Sequence, residues 1–278
     1  MSRKRLLKTS SSLSPIKDPS SVARRPSAIG FFTFVRREVF RFITVFKQTI
    51  VPPVVSSFLY IFIFGLSLGR HIDQVEGMSY MKFLIPGLIM MYTIEGSYIN
   101  TSSSLYISRW HNSIQEILVT PLSYLEMVTA ILIGGLMRGV VVSSCVYLVS
   151  LIFVKTTVLH PFLFFYMLLM VSAIFSTIGI IAGLFAEEWE HLSIVSTFVI
   201  TPLIFLGGVF HSVSMMPPAL RFITLCNPIY YMVDGLRYTV LGIHSAPLWV
   251  SYLMVFVVFS ALYSFAVYLF KIGYKLRV

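Results

Sequence analysis

The sequence predicts an all-α integral membrane protein with six transmembrane helices, an N-terminal amphipathic interfacial helix and re-entrant outer helices between spans five and six. Three observations carry this prediction. Of 278 residues, 57% are hydrophobic and only 12% charged, and mean hydropathy is +0.86, so the bilayer rather than water is the solvent for most of the chain. Six apolar segments each approach the ~20 residues that a crossing helix needs. Between Ser193 and His244 an apolar run is interrupted by Pro202, Gly207, Gly208, Pro217, Pro218, Pro228 and Gly235. Backbone broken at membrane depth survives only where protein buries it or where it faces a water-filled cavity.

Residues 1–28 are basic and contain Ser and Pro. They open like a charged signal-peptide head, but no apolar core follows, so a disordered cytoplasmic arm is expected, with no cleaved leader. Residues 29–48 place Phe32, Val35, Val39, Phe42, Ile43 and Phe46 on one helical face and Arg37, Arg41, Thr44 and Gln48 opposite. That is the pattern of a helix lying along the membrane. Pro52 and Pro53 then mark the entry into the first span of a domain covering residues 49–270. The six spans run from Val51 to Leu68, Phe83 to Leu105, Met127 to Val154, Phe162 to Phe185, Ser193 to Phe210 and Leu248 to Phe270, and residues 271–278 form a basic tail. Gly65/Gly69, Gly135/Gly139 and Gly179/Gly183 have the spacing that lets helix backbones approach closely.

The net charge of +10 does not indicate nucleic-acid binding, because the basic residues collect in the arm and the tail rather than on one soluble face. They instead orient the chain. Fifteen of the 21 Lys and Arg lie in the arm and first helix, the loop after span two and the tail. Both termini are therefore expected in the cytoplasm. Cys145 and Cys226 give neither a disulfide framework nor metal-ligand spacing.

No Gly-x-x-x-x-Gly-Lys-Ser/Thr phosphate loop and no nucleophile motif occurs, so no catalytic site, cofactor site or metal site is expected. Four charges fall at membrane depth: Glu95, Arg138, Asp234 and Arg237. Each would cost on the order of 2.5–3.5 kcal/mol facing lipid at the centre of a span, so each should face the bundle or water. Glu95 and Arg138 stand at comparable distances from the loop joining spans two and three, and an ion pair is expected between them. Asp234 and Arg237 are three residues apart and can pair locally, as a brace or as part of a gate. Between spans two and three, Trp110, Ile114, Ile117 and Leu118 form an apolar stripe on a short helix with Arg109, Asn112 and Glu116 polar, and Thr120-Pro121 ends it. Such a helix suits either a soluble partner or the lipid headgroups.

From about Phe31 onward the chain resembles the permease subunits of ABC-2 type transporters, bacterial export systems. The most specific parts are Asn227-Pro228-Ile229-Tyr230-Tyr231-Met232-Val233-Asp234-Gly235-Leu236-Arg237, preceded by Leu206-Gly207-Gly208-Val209-Phe210 and Met216-Pro217-Pro218. Glu116-Ile117-Leu118-Val119-Thr120-Pro121 and Met137-Arg138-Gly139 add to them. The resemblance implies a bacterial inner-membrane half-transporter that pairs with a second permease subunit and docks a separate ATP-binding cassette subunit, where ATP is bound. It implies that residues 29–48 are a connecting helix and that Ser108 to Val119, with Arg109, Trp110, Glu116, Thr120 and Pro121, form a coupling helix. It also implies that His211 to Ile243, with Asn227, Pro228, Tyr231, Asp234 and Arg237, are paired re-entrant helices capping an export path. The residues alone leave two further readings open, an ion-coupled carrier relaying protons through Glu95 and Arg138, and a scaffold that transports nothing.

Overall fold

The computed structural model describes residues 28–67 and 74–276, and the expected basic arm lies outside the described residues, as do Leu68 and Gly69. The helices are α1 (Ala28–Thr44), α2 (Phe46–Ser67), α3 (Tyr80–Trp110), α4 (Ser113–Leu118), α5 (Tyr124–Phe153), α6 (Pro161–Phe185), α7 (Trp189–Val195), α8 (Thr201–Leu206), α9 (Pro218–Cys226), α10 (Pro228–Leu241) and α11 (Leu248–Ile272). A π turn at Ser196–Ile200 joins α7 to α8 in one rod.

Five helical segments are long and apolar enough to cross a membrane: α2, α5, α6, the α7–α8 rod and α11. The second of the six expected spans falls in α3, which has 31 residues and measures about 46 Å at 1.5 Å per residue. It has the length but not the apolarity, because Glu95, Ser97, Asn100 and the run Thr101–Ser104 dilute it. The reason is its position. α3 is the hub of the bundle, packed chiefly against α6 and α5 and also against α10 and α2, and a helix surrounded by protein needs no apolar coat.

Small residues set how closely that hub is gripped. A Cβ at Gly135 would lie 2.3 Å from Ser176 Oγ, and one at Gly139 would lie 2.1 Å from Ser97 Oγ. One at Gly179 would meet Tyr98 O at 2.6 Å, and one at Gly183 Ser102 O at 2.9 Å. Two of the three predicted glycine pairs therefore mark close packing, Gly135 and Gly139 of α5 against side chains of α6 and α3, and Gly179 and Gly183 of α6 against the α3 backbone.

Two boundaries differ from expectation. α2 begins at Phe46, a single residue after α1, so Pro52 and Pro53 lie inside it rather than at its first turn. Their missing N–H groups leave the carbonyls of Gln48 and Thr49 without helical donors. In the rod, Pro202 removes another donor, and the π turn precedes it with Thr201 Oγ1 donating to Ser196 O at 2.9 Å. At the other end of the chain, Gly273 (φ 71°) ends α11 and the following turn docks onto the bundle, leaving Leu276 buried.

Candidate functional site

At the α9–α10 end, Asn227 is the hinge of a helical hairpin. Its Oδ1 accepts from Ile229 N at 3.0 Å, capping α10, while Nδ2 donates to Leu203 O at 2.6 Å and ties the hinge to α8. Pro228 at the first helical position has no N–H to leave unsatisfied. Tyr231 Oη donates to Leu225 O at 2.9 Å, clamping α9 to α10. α10 is largely buried, whereas α9 exposes Phe222 and Ile223. α9 and α10 are thus two helices within the broken segment, joined at Asn227.

The expected Asp234–Arg237 pair does not form. Both side chains are buried, at 0% and 3% exposure, and each turns to other groups, Arg237 with its Nε left unpartnered. Asp234 accepts from Ser245 N at 2.9 and 3.1 Å and from Ala246 N at 3.0 Å, fixing the turn between α10 and α11. Arg237 Nη2 donates to Gly208 O at 2.8 Å, and its guanidinium carbon lies 4.0 Å from the centroid of the Phe83 ring. Backbone amides and a carbonyl freed by the Gly207-Gly208 turn outcompete the local pair, because they are fixed in place and cost no side-chain ordering.

The Glu95–Arg138 pair is also absent. The register was right but the faces were wrong: α3 and α5 meet at Gly96 and Gly139, where a Cβ on the first would lie 3.8 Å from the second's Cα. Side chains one residue before each contact point swing about 100° away from it. Glu95 lies within electrostatic reach of Tyr92, and Arg138 within reach of Arg41 on α1. No proton relay runs directly between them.

On the α1 side of α3 and α5 lies a polar cluster that the sequence did not reveal. Glu38 of α1 is 1% exposed, accepts from Ser104 Oγ at 2.6 Å and lies 3.5 Å from Arg41 Nε. Arg41 Nη2 donates to Asn100 O at 2.7 Å and to Asn100 Oδ1 at 2.9 Å. The Glu38 stem packs where Gly134 of α5 leaves room. The expected facing of α1 is thus reversed at Arg41. Phe34, Glu38 and Phe42 are its buried residues, while Ile29, Phe32, Phe40 and Ile43 face outward. In a membrane the apolar face can turn to lipid and the charges can turn inward, so amphipathicity alone does not say which side packs.

At the opposite end from the α9–α10 hairpin, α3 runs on through Arg109 and Trp110 before Asn112, at φ 57°, breaks it. The short helix expected from 108 is therefore only the six residues of α4. Ile114 and Ile117 are buried against Phe34, but Trp110 is 68% exposed and belongs to a separate aromatic group with Tyr106 and Trp189. Arg109 turns back into the bundle: Nη1 donates to the carbonyls of Gly183, Leu184 and Ala186 at 2.8, 2.8 and 2.9 Å, and Nε to that of Lys275 at 3.2 Å. It caps the end of α6, whose last carbonyls have no helical donors. Glu116, Thr120 and Pro121 line a groove of about 380 Å³ against Gly30, Phe34 and Arg37 of α1. Ser123 and Glu126 form a capping box that starts α5 directly after this groove.

A polytopic helical membrane protein with a buried polar hub, a groove at one end and a braced hairpin at the other is the class these features define. The chain matches the model of the ABC-2 type transporter family over residues 30–241, and it belongs to that family. It is 40% identical over 225 residues to the inner membrane transport permease YadH of Escherichia coli (strain K12), covering 80% of this chain and 88% of that protein. It is also 24% identical over 218 residues to nodulation protein J of Rhizobium meliloti (strain 1021), covering 74% of this chain and 79% of the relative. The corresponding match in Neorhizobium galegae is 25% over 223 residues, covering 76% and 81%.

Proposed function

We propose that this chain is the membrane subunit of an ATP-driven exporter in the bacterial inner membrane. Six helices cross the bilayer, α3 among them, and both termini lie in the cytoplasm. A separate ATP-binding cassette subunit supplies the phosphate loop that this sequence lacks, and a second permease subunit, most simply another copy, completes the path. The substrate is hydrophobic or amphiphilic: a lipid, a polysaccharide or glycolipid, or a drug. The α9–α10 hairpin caps the path on the outer side.

The observation that carries this reading is the groove between α1 and α4. Two segments about 80 residues apart in sequence meet there through Phe34, Ile114 and Ile117, and α4 joins α3, the hub, through a two-residue turn. A partner pressing on Glu116, Thr120 and Pro121 would therefore act on the whole bundle rather than on a loose loop.

The test is reconstitution of the purified complex in proteoliposomes, with ATP consumption and substrate movement followed together. Glu116→Lys should lower substrate-stimulated ATP hydrolysis severalfold while leaving the amount of folded protein unchanged, since Glu116 makes no internal hydrogen bond among the described residues. Movement driven by a proton gradient without ATP would replace this reading with an ion-coupled carrier. Loss of complex assembly with no transport under any condition would leave a scaffold.

A further inference from the structure

The last turns of α3 and the residues leading into α7 enclose a cavity of about 450 Å³, lined by Tyr106, Ile107, Trp110, Glu188, Trp189 and Glu190. Three of its walls are rings. Tyr106 is buried and stacks on Trp110 with centroids 6.1 Å apart and planes at 22°, and it meets Trp189 edge-on at 5.6 Å and 72°. Both indoles are themselves exposed. Glu188 and Glu190 are exposed too, and neither carboxylate has a hydrogen bond or ion pair among the described residues, whereas the adjacent Glu187 is taken by Lys275. Open indole faces with carboxylates at the rim suit a cation, which the ring quadrupoles and the charges attract together. The same rim repels anionic headgroups, which sets these rings apart from an aromatic belt resting in a membrane interface.

The chain carries a matching cation of its own. Residues 1–27 include Arg3-Lys4-Arg5 and Lys8, with Asp18 the one acidic residue among them. This arm enters the fold at Ala28, and Gly30 and Phe34 just beyond line the groove with Ile117 and Leu122. It therefore joins the bundle at the end where α3 finishes and α4 begins. α4, with six residues, measures only about 9 Å, and the chain from Arg5 to Ala28 can span up to roughly 75 Å. Reach and charge both favour this occupant.

We propose that the basic segment Arg3-Lys4-Arg5 docks in this cavity, with a guanidinium over an exposed indole face and its neighbours against Glu188 and Glu190. The contact stands apart from the transport reading, because it is measured in the resting protein without ATP.

The experiment uses the full chain in its purified complex in neutral detergent. A zero-length carbodiimide, which joins an amine only to a carboxylate in contact with it, should link Lys4 or Lys8 to Glu188 or Glu190, with the Lys275–Glu187 pair as internal control. The yield of those links should fall about fivefold or more in high salt or in Trp110→Leu with Trp189→Leu. Acrylamide quenching supplies the second measurement, in a Trp249→Phe background where Trp110 and Trp189 are the remaining tryptophans. Arg3→Glu with Arg5→Glu should raise quenching, Glu188→Lys with Glu190→Lys should raise it equally, and the four changes together should restore protection, which a folding defect cannot do. Quenching indifferent to the charges of the arm, or carbodiimide links that run only to lysines of another subunit, would overturn the proposal. Quenching that follows the detergent and not the arm would return the rings to the membrane interface and overturn it as well.

Discussion

Two regions of this bundle differ in how fully they close buried charge. At the α9–α10 end Asp234 is closed on two backbone amides and Asn227 on one partner at each end, and Arg237 is held by a carbonyl and a ring while its Nε has no hydrogen-bond partner. In the middle of the bundle Asn100 Nδ2 and Arg138 Nε are buried without a partner, and Arg138 makes no hydrogen bond or ion pair among the described residues. A closed charge such as Asp234 fixes a turn; Arg138 fixes none. Charge at membrane depth is therefore not by itself a functional signal; the state of its partners separates a brace from a site.

The sharpest way to break that comparison is to remove Asp234. Asp234→Ala leaves the buried Ala246 amide unsatisfied, removes the partner of the more exposed Ser245 amide and frees the α10–α11 turn, and hydrogen bonds to a charged acceptor are worth about 1.5–3 kcal/mol each. A loss of roughly 3 kcal/mol or more is expected, seen as a large fall in thermal unfolding temperature and in the yield of folded protein, with Asp234→Asn intermediate. Normal stability with lost transport would make Asp234 a gate residue instead of a brace. Next in size is Arg109→Ala, which uncaps the end of α6 and detaches Lys275 O. About 2 kcal/mol is expected from the lost charged donor, together with faster amide exchange at residues 183–186 and 273–276.

Much of this was legible in the sequence, and the failures share a cause. The positions of five of the six expected spans, the broken segment and two of the three glycine pairs follow from composition and spacing, which act locally. What could not be read was which way side chains face once helices pack. Glu95 and Arg138 each stand one residue before the Gly96–Gly139 contact, and that contact turns them apart. Glu38 drew no attention because it sits among basic residues on an apparently surface helix, and its role appears only when Gly134 and Ser104 come from two other helices to meet it. A glycine at Gly134, opposite a helix carrying a lone acidic residue, was the available hint.

A third change probes the open side of the comparison. In lipid-free detergent Arg138→Met should be as stable as the parent or more so, by up to about 1 kcal/mol, because it removes an uncompensated half-buried cation and keeps the stem's packing. Destabilisation by several kcal/mol would mean that Arg138 is braced after all.

The smallest effect belongs to a pair that is neither buried nor open. Lys275 Nζ donates to Glu187 Oε1 at 2.6 Å, where the tail after α11 meets the loop after α6. That hydrogen bond, then the attraction of the same ammonium, holds the Glu187 carboxyl below its ordinary value of 4.5, against a weaker opposing effect of desolvation. The folded value being the lower one, the pair contributes fully above the unfolded carboxylate's pKa and loses its contribution as pH falls through the folded value. Docking of residues 273–276, followed by amide exchange, should therefore be constant from neutral pH to about 5 and loosen below about 4.5. Exposed as it is, the pair should also weaken with added salt, and Lys275→Met should abolish both dependences while barely changing global stability. A tail that stays docked at low pH in the parent, or loosens equally in Lys275→Met, would assign its anchorage to Leu276 and the Arg109 hydrogen bond alone, and would place this end of the bundle with the closed one.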